Sequence, residues 1–222
     1  PIGLLFAGAC FNYKVTRFPA TGWLAGQVMK RDRWYENKKI TPQKLELARL
    51  ILEDMRDGME VLKAMGRHPV PGSGYIGKQV LVAAYRALLE SGESQPDEAL
   101  MSRIRMKPVR SLSGVTVVTV LTGPAPCPGH CIFCPDDVRM PKSYLPDEPG
   151  AARAFQNNFD PYLQVSSRLE ALNAVGHPTD KIELLILGGT WSAYPRSYQV
   201  TFIQRCLDAM NGFDSASLEE AQ

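Results

Sequence analysis

Apolar residues recur at steps of three and four through Leu45, Ala48, Leu52, Met55, Met59 and Leu62, which places them on one stripe of an α-helix. Thr41 stands before the stripe as a cap, and Pro42 occupies the first turn, where its missing amide hydrogen costs nothing. The spacing predicts a single helix from there to Gly66, with the stripe as core. After a turn-rich connector, His68-Pro69-Val70-Pro71-Gly72-Ser73-Gly74, a second periodic segment over 78–91 would bury Val80, Leu81, Ala84, Tyr85 and Leu88 and stop at Gly92. The polar segment 91–98 and the basic run Arg103, Arg105, Lys107 and Arg110 complete a small helical region.

The pattern then changes. Residues 115–121, Val-Thr-Val-Val-Thr-Val-Leu, read as a buried strand that ends in Gly123-Pro124. The polar stretch 135–160, rich in Pro and Asp, reads as a long ordered excursion or lid. Asp160 and Pro161 open another helix, with Val165, Leu169, Leu172 and Val175 on its buried face. A second buried strand, 182–187, runs into Gly188-Gly189, and a helix over 196–211 contributes Phe202, Ile203, Leu207 and Met210. The order β–loop–α–β–loop–α is the start of a parallel βα architecture, whose sites lie at the carboxyl ends of strands. Two units cannot close a barrel, and parallel strands want neighbours on both edges. The sequence therefore leads us to expect a chain that is incomplete at both ends.

Composition narrows this picture. With 222 residues, 45% apolar and 22% charged, the chain suits one large or two modest globular domains. No apolar run is long enough for a transmembrane helix, and residues 1–10 lack the basic start of a signal peptide. Residues 1–110 hold 18 Lys or Arg against 11 Asp or Glu, whereas residues 111–222 hold 7 against 12. The first part could thus attract a polyanion. Around 30–39, cations alternate with Trp34 and Tyr35, a mixture suited to phosphates and stacked bases and equally to a solvated turn.

Of five cysteines, Cys127, Cys131 and Cys134 fall within eight residues, too close for a secreted disulfide framework, which argues for metal in a reducing, cytoplasmic setting. The C-x3-C-x2-C loop offers three thiolates, whereas a fully protein-ligated cubane takes four. One iron of a [4Fe–4S] cluster would then remain open to a small chelating ligand. A sulfonium bound there by its amine and carboxylate could be cleaved by an electron from the cluster. Zinc, with His130 as a fourth ligand, is the alternative, as is a structural cluster completed by Cys10 or Cys206. Gly188-Gly189 after a strand would let backbone approach the amino-acid part of such a ligand. Lys181, at the opposite end of that strand, is either a solvated cation or an anion holder. His130, His177 and Tyr144 receive no assigned role.

The chain resembles the catalytic subunit of the Elongator complex and its single-chain prokaryotic relatives. The resemblance rests on Lys107-Pro108-Val109-Arg110-Ser111-Leu112-Ser113-Gly114-Val115, the cysteine loop, Phe159-Asp160-Pro161-Tyr162-Leu163-Gln164, Gly176-His177-Pro178-Thr179-Asp180-Lys181 and Gly188-Gly189-Thr190-Trp191. It covers about 105–222 closely and is looser before that; the short cysteine spacing is similar to the bacterial and archaeal branch. The resemblance implies a basic helical tRNA-binding region over 1–106, followed over 107–222 by the first βα units of a radical S-adenosylmethionine partial barrel. It further implies modification of C5 of wobble uridine 34 in tRNA, with acetyl-CoA as cosubstrate, S-adenosyl-L-methionine as radical source and an external electron donor. Carried over by residue, Cys127, Cys131 and Cys134 would ligate the cluster, Lys181 would bind acetyl-CoA and Gly188-Gly189 would receive the methionine part of the cofactor. An acetyltransferase-like domain and most of the barrel would lie beyond residue 222, so this stretch alone would not complete the reaction. A homo-oligomer is compatible with these features. Two rival expectations are a radical enzyme acting on another substrate without acetyl-CoA, and an RNA-binding scaffold with a structural cluster.

Overall fold

The computed structural model describes residues 40–222 apart from Ser73 and Asp136. The apolar opening at 1–10, Cys10 and the basic and aromatic run at 30–39 lie outside the described residues. Helix α1 (Pro42–Arg56) starts as its sequence predicts, with the Thr41 hydroxyl accepting from the Lys44 amide. Ala48, Ile51, Leu52 and Met55 are fully buried along one side. The single helix expected as far as Gly66 is corrected to two. Gly58 adopts φ +93° just after α1, a conformation that side chains oppose, and the Glu60 carboxylate then caps α2 (Val61–Arg67) by accepting from Leu62 and Lys63. The break rotates the second half of the stripe, leaving Leu62 68% exposed.

Helix α3 (Lys78–Glu90) buries all five expected residues. Helix α4 (Glu98–Ile104), absent from the sequence reading, is capped by Asp97 and adds Leu100 and Ile104 to the core shared by α1–α3. A short 3-10 turn, Pro108–Ser111, then leads to strand β1 (Thr116–Leu121).

Strand β1 runs parallel to β2 (Ile182–Leu187), with Thr116 opposite Ile182 and Leu121 opposite Leu187. Between them lie α5 (Pro149–Gln156) and α6 (Pro161–Ala174), the latter capped by Asp160 through the Leu163 amide; α7 (Arg196–Asn211) and α8 (Leu218–Ala221) follow β2. Val118 and Val120 turn to a core made with Val165, Leu172, Phe202 and Cys206. Val117, Leu185 and Leu187 turn the other way and are 38–40% exposed. Strand β2 is therefore not the buried strand its composition suggests: its residues alternate between half-buried and exposed because, among the described residues, only one face of a two-stranded sheet is covered by helices. The excursion at 135–160 is not a free lid. It carries α5, and Met140, Ala151 and Ala154 close over Leu121 at the carboxyl end of β1.

The result is an α/β arrangement with a small parallel sheet flanked by helices. Polar bonds join the helical region to it: Met106 donates its amide to Val175 O at 3.1 Å and Arg105 Nε donates to Gly176 O at 2.7 Å. No helix among the described residues is long and apolar enough to cross a membrane.

Candidate functional site

The end of β1 is fixed before the cysteine loop begins. The Thr122 amide donates to Leu187 O, extending the ladder by one bond. The Thr122 hydroxyl lies 2.8 Å from the Tyr194 hydroxyl, which also reaches Gly123 O at 2.8 Å, while Tyr198 OH accepts from the Gly123 amide at 2.9 Å. The two tyrosine rings stack with centroids 4.9 Å apart. Both strand ends and the start of the loop are thereby held by buried and part-buried polar groups bonded to one another, the arrangement that gives such networks rigidity.

Beyond this anchor, Cys127 Sγ accepts from the Gly129 amide at 3.4 Å and sits 3.3 Å from the Thr190 hydroxyl. The Thr190 hydroxyl first, then the Gly129 amide and the charge of Lys142, hold the Cys127 thiol below its ordinary value. The Cys134 thiol lies 2.9 Å from the Ser143 hydroxyl, and its amide donates to Cys131 O. A Cβ on Gly129 would stand 3.6 Å from Cys131 Sγ and 3.7 Å from Cys127 Sγ, ordinary contact distances, so both sulfurs lie close to the backbone at this position. Cys131 is exposed. Phe133 is 92% exposed, because nothing among the described residues packs on that side of the loop. Among the described residues no three Cys, His, Asp or Glu side chains are drawn together into a finished metal cage.

The turn after β2 comes to the same place. A Cβ on Gly188 would stand 1.9 Å from Thr122 Oγ1, so glycine is required there by the packing of one strand end on the other. Gly189 is adjacent to Lys142 and the Tyr194 hydroxyl, and Thr190 touches Cys127. The structure thus brings Gly188, Gly189 and the cysteine loop together at the carboxyl end of the sheet. It leaves Lys181 apart: exposed, and at the amino end of β2, where its carbonyl accepts from the Thr116 amide. At about 3.3 Å per residue, the six residues of the strand separate it from the loop by roughly 20 Å.

Cys206 is sealed in the core beside Val118 and Phe202, and burial pushes its thiol up to about 12. It is therefore no partner to the loop. His130 is exposed, whereas His177 is buried with Nδ1 2.8 Å from Ser111 Oγ, tying the 3-10 turn to the approach to β2. Tyr144 packs against the Leu121 cluster. Thr122, Ser143, Tyr194 and Tyr198 went unnoticed in the sequence, and Thr190 stood in a motif without a role of its own. A hydroxyl directly after Gly-Gly was the one local signal available.

No protein-family model matches the chain. The tRNA uridine(34) acetyltransferase of Methanocaldococcus jannaschii is 52% identical over 141 residues, 61% of this chain and 26% of that protein. Its counterpart in Dehalococcoides mccartyi is 49% identical over 113 residues, covering 51% of this chain and 25% of the relative. Human Elongator complex protein 3 is 36% identical over 135 residues, covering 56% and 25%. This chain spans about a quarter of the length of the curated relatives it matches. Over the matched residues it is homologous to the tRNA uridine(34) acetyltransferase and Elongator complex protein 3 family, whose motifs its own sequence resembles.

Proposed function

We propose that this chain is the cluster-binding portion of a radical S-adenosylmethionine enzyme that modifies wobble uridine 34 of tRNA with acetyl-CoA. The observation that carries the reading is one loop with three thiols at the carboxyl end of a parallel strand, touched by the Gly-Gly-Thr turn of the next strand. Soft thiolate donors suit an iron–sulfur centre, and the number fits one with a single iron left for an exogenous ligand. When bound, the cluster would supply the electron that cleaves S-adenosylmethionine and so provides the radical used on the acetyl group.

The chain's own residues do the positioning. Cys127, Cys131 and Cys134 would hold the cluster, with Thr190 and Ser143 donating hydroxyl hydrogens to the outer sulfurs once these are thiolates. The backbone of Gly188 and Gly189 would receive the amino-acid portion of the cofactor beside them. Tyr194 and Tyr198 keep the loop entrance from shifting. Lys181 would bind acetyl-CoA from the far end of β2. The basic helices of the first region would contact tRNA, whose unpaired anticodon base needs no flipping out of a duplex. The first βα units of a partial barrel are the architecture in which these parts make sense.

Anaerobic reconstitution with iron and sulfide tests the centre directly. About four irons per chain, falling sharply in Cys131→Ala, are expected; zinc taken up in place of iron and sulfide would overturn the reading. Nucleoside analysis of tRNA incubated with the protein carried through the relatives' remaining length tests the reaction. Cofactor cleavage with unaltered uridine would reject the substrate.

A further inference from the structure

In a parallel ladder, residues that bond one neighbour alternate with residues that face the other edge. Thr116 and Thr122 donate to Lys181 and Leu187, so Val117, Thr119 and Leu121 direct their backbone groups to the edge of β1 away from β2. At Leu121 that edge is closed: the buried Gln164 carboxamide accepts from its amide and donates to its carbonyl, each at 2.9 Å. Toward the amino end it is open. There a cleft of about 210 Å³ runs over Thr116, Val117 and Thr119, with Leu172 as an apolar wall and Arg110, Arg168 and His177 at its sides.

The charge of this cleft is one-sided. Among the described residues, Arg110, Arg153 and Arg168 form no side-chain ion pair or hydrogen bond. They also feel one another. Burial first and the charge of Arg110 second hold Arg153 below its ordinary value, and burial followed by the charges of Arg153 and Arg110 does the same to Arg168. Three half-gathered cations without an anion cost stability, and an oxyanion placed among them would recover it through charge-assisted, forked hydrogen bonds. Strand-edge amides and the Thr119 hydroxyl supply neutral donors at the same place.

We infer that the cleft between Arg110, Arg168 and the open edge of β1 is a phosphate-binding site, separate from the cysteine loop and at the other end of the sheet. The side chains of α6 already lie along that edge, Gln164 at Leu121 and Arg168 and Leu172 in the cleft. The phosphate belongs either to an RNA backbone or to a free small anion.

The test pairs equilibrium dialysis of labelled inorganic phosphate with anisotropy titration of a labelled single-stranded oligoribonucleotide, on the 222-residue chain. Arg110→Gln/Arg168→Gln should weaken phosphate binding about tenfold or more, while Arg196→Gln, which removes an exposed charge elsewhere, should leave it within about twofold. If the ligand is RNA backbone, the double variant also binds the oligonucleotide more weakly and loses about one unit of salt slope per contact removed. An unchanged RNA titration alongside lost phosphate binding assigns the site to a free anion. Phosphate should raise the melting temperature of the parent chain but not of the double variant, which shows that the variant is folded and deaf to the ligand. No phosphate uptake by the parent chain, or equal uptake by the double variant, would sink the inference. Neither measurement uses iron, so this site and the cluster can fail independently.

Discussion

Thr122 and Gly188 meet where the two strands end, and the contact leaves no room for a methyl group. Gly188→Ala is therefore expected to destabilise the chain by about 1–3 kcal/mol through overpacking, read from urea unfolding. Adding Thr122→Ala should return part of that loss, since the obstructing hydroxyl is removed. His177 offers a second test at this scale. Burial first, then the charges of Arg105 and Arg110, hold its imidazole below 6.5. The unfolded chain takes up this proton near its ordinary value while the fold still resists it, so stability falls as pH drops through 6.5 and levels only below the folded value. Urea midpoints measured from about pH 7.5 down to about pH 5.5 should show this decline, and it should be shallower in His177→Gln and in Arg110→Gln. Individual residues were unevenly legible. The cysteine trio stood out because its close spacing is visible in the sequence itself. Thr190, Ser143 and Tyr194 did not, since their roles depend on partners that only the folded chain brings near.

Elements were legible where a long period met a clear cap, as at the start of α1 and in α6, and in α3 and α7 on the period alone. Where the period continued across a break, it misled. Met59 and Leu62 keep the step of α1, yet Gly58 and the Glu60 cap start a new helix in a new direction. Gly58→Ala should cost about 1 kcal/mol, because φ +93° penalises a side chain even though nothing lies within 4 Å of the added carbon. A chevron or equilibrium denaturation series would show it; an unchanged midpoint would mean that the turn relaxes. Helices α4 and α5 escaped notice because seven or eight residues give too few turns for a period to register. The exposure of one face of β2 is of a different kind: composition reports that a strand can be buried, whereas burial itself depends on what lies over the face.

At the scale of the whole molecule, the two larger of the three apolar cores among the described residues lie in one compact unit. One is built from α1–α4; the other joins the sheet to α6 and α7. Their junction combines the backbone hydrogen bond from Met106 to Val175 with side-chain contacts from Arg105 to Gly176 O and from Arg86 to Asn173, and Gly176 fits close against Met101 and Val82. Such a mostly polar seam transmits little of the cohesion that either core generates, so a boundary near residue 106 should appear as a difference in local stability. Met55→Ala opens a cavity in the helical core and should cost about 2–5 kcal/mol there. Hydrogen exchange should then quicken across α1–α4, while β1, β2, α6 and α7 keep their protection. Equal acceleration in both regions would show instead that the seam binds them into one cooperative unit, and residues on either side of position 106 would have to be treated as a single folding domain.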